Sequence, residues 1–149
     1  GYTDESGTID HALIEELDKM TDKNAQQDKE AQSAVTTYSR LATKEIPYEV
    51  EGYPQSRYSL IKAFPKTGRK HQIRRHMKHI SHPIIGDANH GRGRHNRFFQ
   101  SHFNVHRLLL ACTRLSFTHP ITNKEIEITC PVDGQFLSLL EAFGWADHN

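Results

Sequence analysis

Apolar residues recur along this chain with two periods, and the switch between them marks out the elements. Ile9, Leu13, Leu17 and Met20 fall at near-helical spacing and predict an amphipathic helix over Thr8–Met20, although the acids in it could equally edge a strand and loop. The next stretch, Asn24–Ala34, carries no large apolar side chain and reads as a solvated loop or helix end. Ala34–Ala42 is rich in β-branched and aromatic residues and predicts a strand. Pro47, Gly52 and Pro54 punctuate a loop before a second strand at Ser56–Phe64, which ends at Pro65 and a Lys66-Thr67-Gly68 turn. Ile73, Met77 and Ile80 then return to helical spacing, with Thr67 as the expected N-cap. Ser81-His82-Pro83 stops that helix, because the residue before a proline disfavours the α conformation. Gly86–Arg97 is Gly-containing and basic and reads as a loop, while His106–Cys112 is apolar and ambiguous. Two alternating runs, "RLSFTH" and "EIEIT", flank a turn at Thr122-Asn123. Phe136–Phe143 closes the chain as a short apolar helix with Asp133 as its N-cap. Several strands, few helices and no βαβ rhythm indicate an α+β fold.

Composition narrows this picture. The chain has 149 residues, about the size of one domain or of a piece of a larger one, and 36% of it is hydrophobic, so its core is modest. No apolar run is long enough to cross a membrane as a helix. Two cysteines, Cys112 and Cys130, do not make a disulfide framework, so a reducing, cytoplasmic setting is the expectation. The first residue is glycine rather than methionine, which reads as a trimmed fragment.

Charge changes the picture most. The net charge is +1, yet its distribution is uneven. Gly1–Glu51 holds five Lys or Arg against twelve acids, and Gly52–Arg97 holds eleven against the single acid Asp87. A basic block of this density attracts polyanions, nucleic acid first among them. Its centre, Lys66 to Asp87, carries six Lys or Arg and four His. A helix beginning at Thr67-Gly68 would turn its free N–H groups toward a phosphate, with Arg69, Lys70, Arg74, Arg75 and Lys78 around it. A solvated basic face without a partner is the plain alternative. His71, His76, His79 and His82, with His102 and His106, raise the question of a metal-binding domain. Their spacing argues against one: His71 and His76 are five apart, no cysteine lies near, and the His102/His106 pair supplies only two ligands. Surface or hydrogen-bonding roles suit some of these histidines better, and others could stack on bases.

The segment "KTGRKHQIRRHMKHISHPIIGD" resembles the signature of the pseudouridine synthases of the RluA type, T-G-R-x-H-Q-[IL]-R-x-H followed by H-P-I-x-G-D. "RLLLACTRLSFTHP" resembles the family's later L-H-A-x-x-L-x-F-x-H-P segment. The resemblance extends over essentially the whole chain, and "LIEELDKMTDK", "NKEIEI" and "FGW" are most similar to a tRNA-modifying branch of the family. It implies the C-terminal part of the pseudouridine synthase fold, a mixed, mostly antiparallel sheet with flanking helices. It also implies isomerisation of a tRNA uridine in the T-stem without a metal or organic cofactor. The target base has to leave its stack to be reached.

The resemblance implies roles for particular residues. Arg74 would be the partner of the catalytic aspartate, holding it ionised and oriented. Arg69, Lys70, His71, Arg75 and Lys78 would contact RNA, and one of Leu108, Leu109 and Leu110 would wall the uracil pocket. The family's aspartate motif, H-R-L-D-x-x-T-S-G, is absent from this sequence. Leu17-Asp18 with Thr21 imitates it but lacks the flanking residues, so the nucleophile and the family's active-site Tyr are expected upstream and this chain alone is expected to be inactive. A free-standing RNA-binding module is the alternative. Two positions depart from the family pattern: Ala111 stands where the L-H-A histidine would be, and His90 where a Tyr would be. A monomer is expected, with a sheet edge able to pair with another copy.

Overall fold

A computed structural model describes residues 1–15 and 29–149. Three strands, β1 (Ser6–Asp10), β2 (Val35–Ile46) and β3 (Ser56–Pro65), form an antiparallel sheet in the order β1-β2-β3. Helix α1 (Gln72–His79) follows β3, and α2 (Gly93–Phe103) follows a compact turn. A separate antiparallel hairpin, β4 (Arg114–Thr118) and β5 (Glu125–Thr129), leads into α3 (Gly134–Phe143) and a short 3-10 turn at Ala146–His148. The fold is α+β, as its sequence pattern implies.

Strand β2 reaches across both apolar clusters. Near its start, Tyr38 packs with Ile9 of β1 and Met77 of α1, and Ile61, Ile73, Ile80 and Ile84 border them. Near its end, Ile46 joins Tyr58 of β3, Phe99 of α2 and Leu139, Leu140 and Phe143 of α3. The pairing of β2 with β3 shifts at Leu41, between Arg40 and Ala42. This bulge re-phases the strand between the two clusters.

The helix expected over Thr8–Met20 is instead strand as far as Asp10 and extended backbone at Leu13, which bridges to Gln32. Ile9 and Leu13 are both buried. A spacing of four puts two residues on one face of a helix and equally on one face of a strand, and pairing with β2 decided between them. Leu17 and Met20 lie outside the described residues.

Helix α1 begins five residues after its expected N-cap. Thr67 does not cap it; His71 holds the N-cap position with φ 54° and makes no side-chain cap bond. Thr67 instead accepts a hydrogen bond from Val35 N and donates to Gln72 Oε1 at 2.7 Å. The N–H cradle expected at Thr67-Gly68 is therefore not the start of a helix.

Gln72 and His76 form a polar lock beneath α1. Gln72 Oε1 also accepts from Arg69 N at 3.0 Å, and its Nε2 donates to Val35 O and to Thr36 Oγ1 at 3.1 and 3.0 Å. His76 lies 2.8 Å from Thr36 Oγ1 through Nδ1 and 2.9 Å from His11 O through Nε2. A carbonyl can only accept, so Nε2 carries the proton and Thr36 directs its hydroxyl at Nδ1. Gln72, His76 and Thr36 are all buried, and every one of these bonds ties α1 to β2 or to the chain beside it.

The loop expected at Gly86–Arg97 is a loop only to Arg92, and α2 takes up the rest. Phe99 and Phe103, an i,i+4 pair in the apolar cluster, lie beyond the basic stretch, and their packing extends the helix back into it. Asp133 occupies the N-cap position of α3 as expected but makes no side-chain cap bond.

Gln72→Ala should lower stability by about 2–4 kcal/mol, because it leaves several buried groups without partners. Urea denaturation of the variant against the parent chain checks this through the midpoint at unchanged slope.

Candidate active site at the basic helix

Arg74 sits on the first turn of α1 and reaches the turn that follows it. Its Nε donates to Asp87 Oδ2 at 2.7 Å and its Nη2 to Asp87 Oδ1 at 2.8 Å. This is the two-pronged arrangement that guanidinium and carboxylate planes favour. The Asp87 side chain is fully buried, and Arg74 is mostly so. Asp87 Oδ1 also accepts from the backbone N–H of Asn89 at 3.0 Å and of His90 at 2.8 Å. Burial alone would raise the Asp87 pKa, but Arg74 and these two amides more than offset it and hold the carboxyl at about 2. The sole acid of the basic block is thus ionised and fully occupied.

The turn that carries Asp87 is built around Gly86 and Asn96. Gly86 has φ +83°, and a Cβ there would stand 1.9 Å from the Arg107 carbonyl oxygen, so a side chain is excluded. Asn96 of α2 accepts from Gly86 N at 2.8 Å and donates to Asp87 O at 2.9 Å. Helix α2 therefore clamps the turn that orients Arg74. Neither Asp87 nor Asn96 was singled out by the sequence pattern as a partner of Arg74. The signal available was that Asp87 is one acid among eleven bases.

The expected RNA contacts separate into three places. Arg69, Lys70 and Arg75 line a hollow of about 200 Å³ together with Gly68, Gln32 and Glu15. Arg69 also donates to Ser33 O at 3.0 Å. Lys78 is exposed toward the other end of α1 and does not line that hollow. His71 Nδ1 lies 3.1 Å from His90 Nε2, so His90 is buried against α1's own N-cap residue. His102 and His106 do not share a helix face, because α2 ends at Phe103 and Asn104 turns left-handed. His102 stacks on Phe98, and His106 bonds to Asn104. Among the described residues, no group of three His, Cys, Asp or Glu side chains could hold a metal ion.

A larger cavity of about 360 Å³ lies between β3, α1 and α3. Leu109 and Leu110 line it, whereas Leu108, Arg74 and Asp87 do not. Leu109 N donates to Ile85 O at 2.9 Å, which sets that wall. At the cavity's polar end, Tyr58 is 2.9 Å from His95 Nδ1, and Glu51 lies 3.4 Å from His95 and 2.6 Å from Arg92. Burial pushes the Tyr58 phenol up to about 12, so it is a hydrogen-bonding group rather than a base. Asp18 lies outside the described residues.

A family model described as RNA pseudouridylate synthase matches residues 2–79. The chain belongs to the RNA pseudouridylate synthase family. It is 50% identical over 145 residues to tRNA pseudouridine synthase C of Vibrio parahaemolyticus, a match covering 97% of this chain and 59% of the relative. It is 52% identical to the protein of the same name in Pasteurella multocida, across 97% of this chain and 60% of that one. The chain thus spans about 60% of the length of the curated relatives it matches. A solved structure, human RNA Pseudouridylate Synthase Domain Containing 1, superimposes with a TM-score of 0.60 at 21% identity, covering 89% of this chain and 50% of that one. That likeness concerns the fold alone.

An NMR titration of Asp87 should give a midpoint near 2, well below the roughly 4 of a free aspartate. The pair then contributes its full stability above about pH 4 and loses it as the pH falls toward 2, on the order of 2 kcal/mol in all. A midpoint near 4 would mean that Arg74 and Asp87 do not pair in solution.

Proposed function

We propose that this chain is the C-terminal portion of the catalytic domain of a tRNA pseudouridine synthase that converts one uridine of the T-stem to pseudouridine. The observation that carries the reading is the near-50% identity, across almost the whole chain, to several proteins named tRNA pseudouridine synthase C. In this reaction the N1–C1′ bond of uridine breaks, the base turns, a C5–C1′ bond forms, the hydrogen on C5 leaves as a proton, and N1 takes up a proton in its place. An aspartate carboxylate on the longer chain starts the chemistry.

Arg74 holds that aspartate. A guanidinium has five N–H donors in one plane, so a single arginine can serve two carboxylates. Asp87 fixes the plane of Arg74, and geometry set in advance avoids an ordering cost at the reaction. The basic segment that leads into and along α1, with Arg69, Lys70, His71, Arg75 and Lys78, draws in the tRNA backbone, and Leu109 and Leu110 supply apolar wall for the base. The charge distribution supports this division of labour: eleven bases lie in the segment that contains α1, and only one acid, itself neutralised by Arg74.

Tritium release from tRNA carrying 5-tritiated uridine tests the reading. Release is expected from a fusion that adds the upstream part of the Vibrio parahaemolyticus relative, and not from this chain alone. Release from this chain alone would place the nucleophile within it. In the fusion, Arg74→Ala should cut turnover by roughly 10²–10³-fold with little change in tRNA affinity. Arg74→Lys should recover only part of it, because an ammonium lacks the fork. Lys78→Ala should weaken binding severalfold and reduce the salt slope by about one while turnover at saturation holds. Equal loss of affinity in both variants would remove Arg74 from the chemistry.

A further inference from the structure

Helix α2 is used on two sides. Its inner side carries Asn96, which clamps the Asp87 turn, and Phe99, which enters the apolar cluster. At 3.6 residues per turn, Arg94 and Phe98 leave the helix nearly opposite to Asn96. Arg94 and Arg97 are exposed, and among the described residues neither makes a hydrogen bond or an ion pair. Arg92 differs, because Glu51 neutralises it at 2.6 Å. A Cβ on Gly93 would stand 3.0 Å from Arg97 Nη1, so the bare backbone at Gly93 lets Arg97 lie along the helix. The sequence of α2 contains no acid. Like charges one turn apart on a helix repel, a cost that a polyanion removes.

The loop between β2 and β3 adds aromatic rings to this outer side. Tyr48 meets the end of α2: its ring centroid is 4.4 Å from that of His102 and 5.6 Å from that of Phe98. His102 in turn lies parallel to Phe98 at 5.0 Å. Ser56 Oγ donates to Tyr48 O at 2.8 Å, and Glu51 ties the same loop to Arg92 at the start of α2. The loop thus runs along the helix in the opposite sense and is fastened at both ends. Tyr48 nevertheless stays 41% exposed, and Tyr53, two residues beyond Glu51, is 76% exposed.

We propose that Arg94, Arg97, His102, Tyr48 and Tyr53 form a second RNA surface, one that grips the tRNA at a point remote from the target uridine by phosphate contacts and base stacking. The inference rests on reading the protein as a tRNA pseudouridine synthase. Three observations select this occupant. Two arginines without carboxylate partners face one exposed loop acid, Glu49, so the face keeps a cationic excess for phosphates. Exposed rings beside arginines are the platform on which unpaired bases stack. No Leu, Ile or Val is exposed on α2 or in the loop from Pro47 to Gln55, so the face lacks the apolar centre of a protein interface. Remoteness follows from the helix itself. It is about 10 Å across with its side chains, and the Asp87–Arg74 contact lies beyond its inner side. An RNA segment on the outer side therefore stands well away from the base held near Arg74, and α2 fixes the spacing between the two.

Binding of full-length tRNA and of a stem-loop of its T arm, measured on this chain and on the fusion over a range of salt, tests the proposal, with tritium release followed on the same fusion. R94A/R97A should weaken full-length tRNA binding about tenfold and lower the salt slope by about two, while affinity for the stem-loop stays within about twofold. Tyr53→Ala should weaken full-length tRNA binding about fivefold at unchanged slope, because stacking releases no counterions. Both changes are at exposed positions, and unchanged urea midpoints check that the variants fold. Unchanged tRNA affinity in R94A/R97A overturns the proposal and leaves the face to a protein partner. Equal loss on the two RNAs overturns it too, because the contact then lies beside the target base. No loss in Tyr53→Ala overturns the composite face by confining the contact to α2. An active fusion that binds tRNA equally well with and without the two arginines sinks this surface and leaves the functional reading standing. An inactive fusion that shows the tRNA-selective loss does the reverse, and no binding by either protein sinks both.

Discussion

The position of α1 depends on a short chain of buried hydrogen bonds. Gln72 donates to Thr36, Thr36 turns its hydroxyl to His76, and His76 donates to the carbonyl of His11. Among the described residues, the apolar cluster under this helix has three buried members, Ile9, Tyr38 and Met77. Apolar burial is non-directional and would tolerate sliding of the helix by part of a turn. Buried polar groups do not, because each loses its partner and pays the full desolvation penalty. The lock therefore sets the register of α1 against β2, and with it the direction in which Arg74 leaves the helix.

From that fixed point the site is assembled outward. Arg74 takes Asp87, Asp87 takes the amides of Asn89 and His90, and Asn96 fastens the same turn to α2. A segment with eleven cations and one acid has a large self-repulsion to contain. It does so by placing its single carboxylate in the interior, where a charge pair is strongest, by pairing Arg57 with Glu45 and Arg92 with Glu51 of the acidic segment, and by leaving Lys78, Arg94 and Arg97 at the surface, where water and salt screen them. His90 fits the same logic. It is buried against His71 and gives its backbone N–H to Asp87.

The molecule is unevenly finished. The cluster around Phe99 and Phe143 is dense, with Tyr58, Phe103 and Trp145 meeting these rings edge to face or tilted. The cavity beside it is large and the β4–β5 face is open. These contrasts accord with a chain that matches about 60% of its relatives' length: where this span supplies both sides of a contact the packing is close, and elsewhere apolar surface stays exposed.

The sequence by itself determined the family, the basic block, the strands β2 to β5 and the helix bearing Ile73 and Met77, because each rests on a local feature: a long contiguous signature, a charge count, a period of two or of 3.6. Arg74 was legible through the signature alone. Only the tertiary structure decided the rest. Ile9 and Leu13 satisfy a helix and a strand equally until β2 pairs beside them. The start of α2 reads as loop until Phe99 and Phe103 find their cluster. Thr67 looks like a cap until Gln72 claims it from five residues away. Asp87 is one acid in a basic run until the fold brings it to Arg74, thirteen residues earlier in the chain. In each case the deciding partner is remote in sequence, and neither propensity nor spacing carries information about a contact made only after the chain has folded.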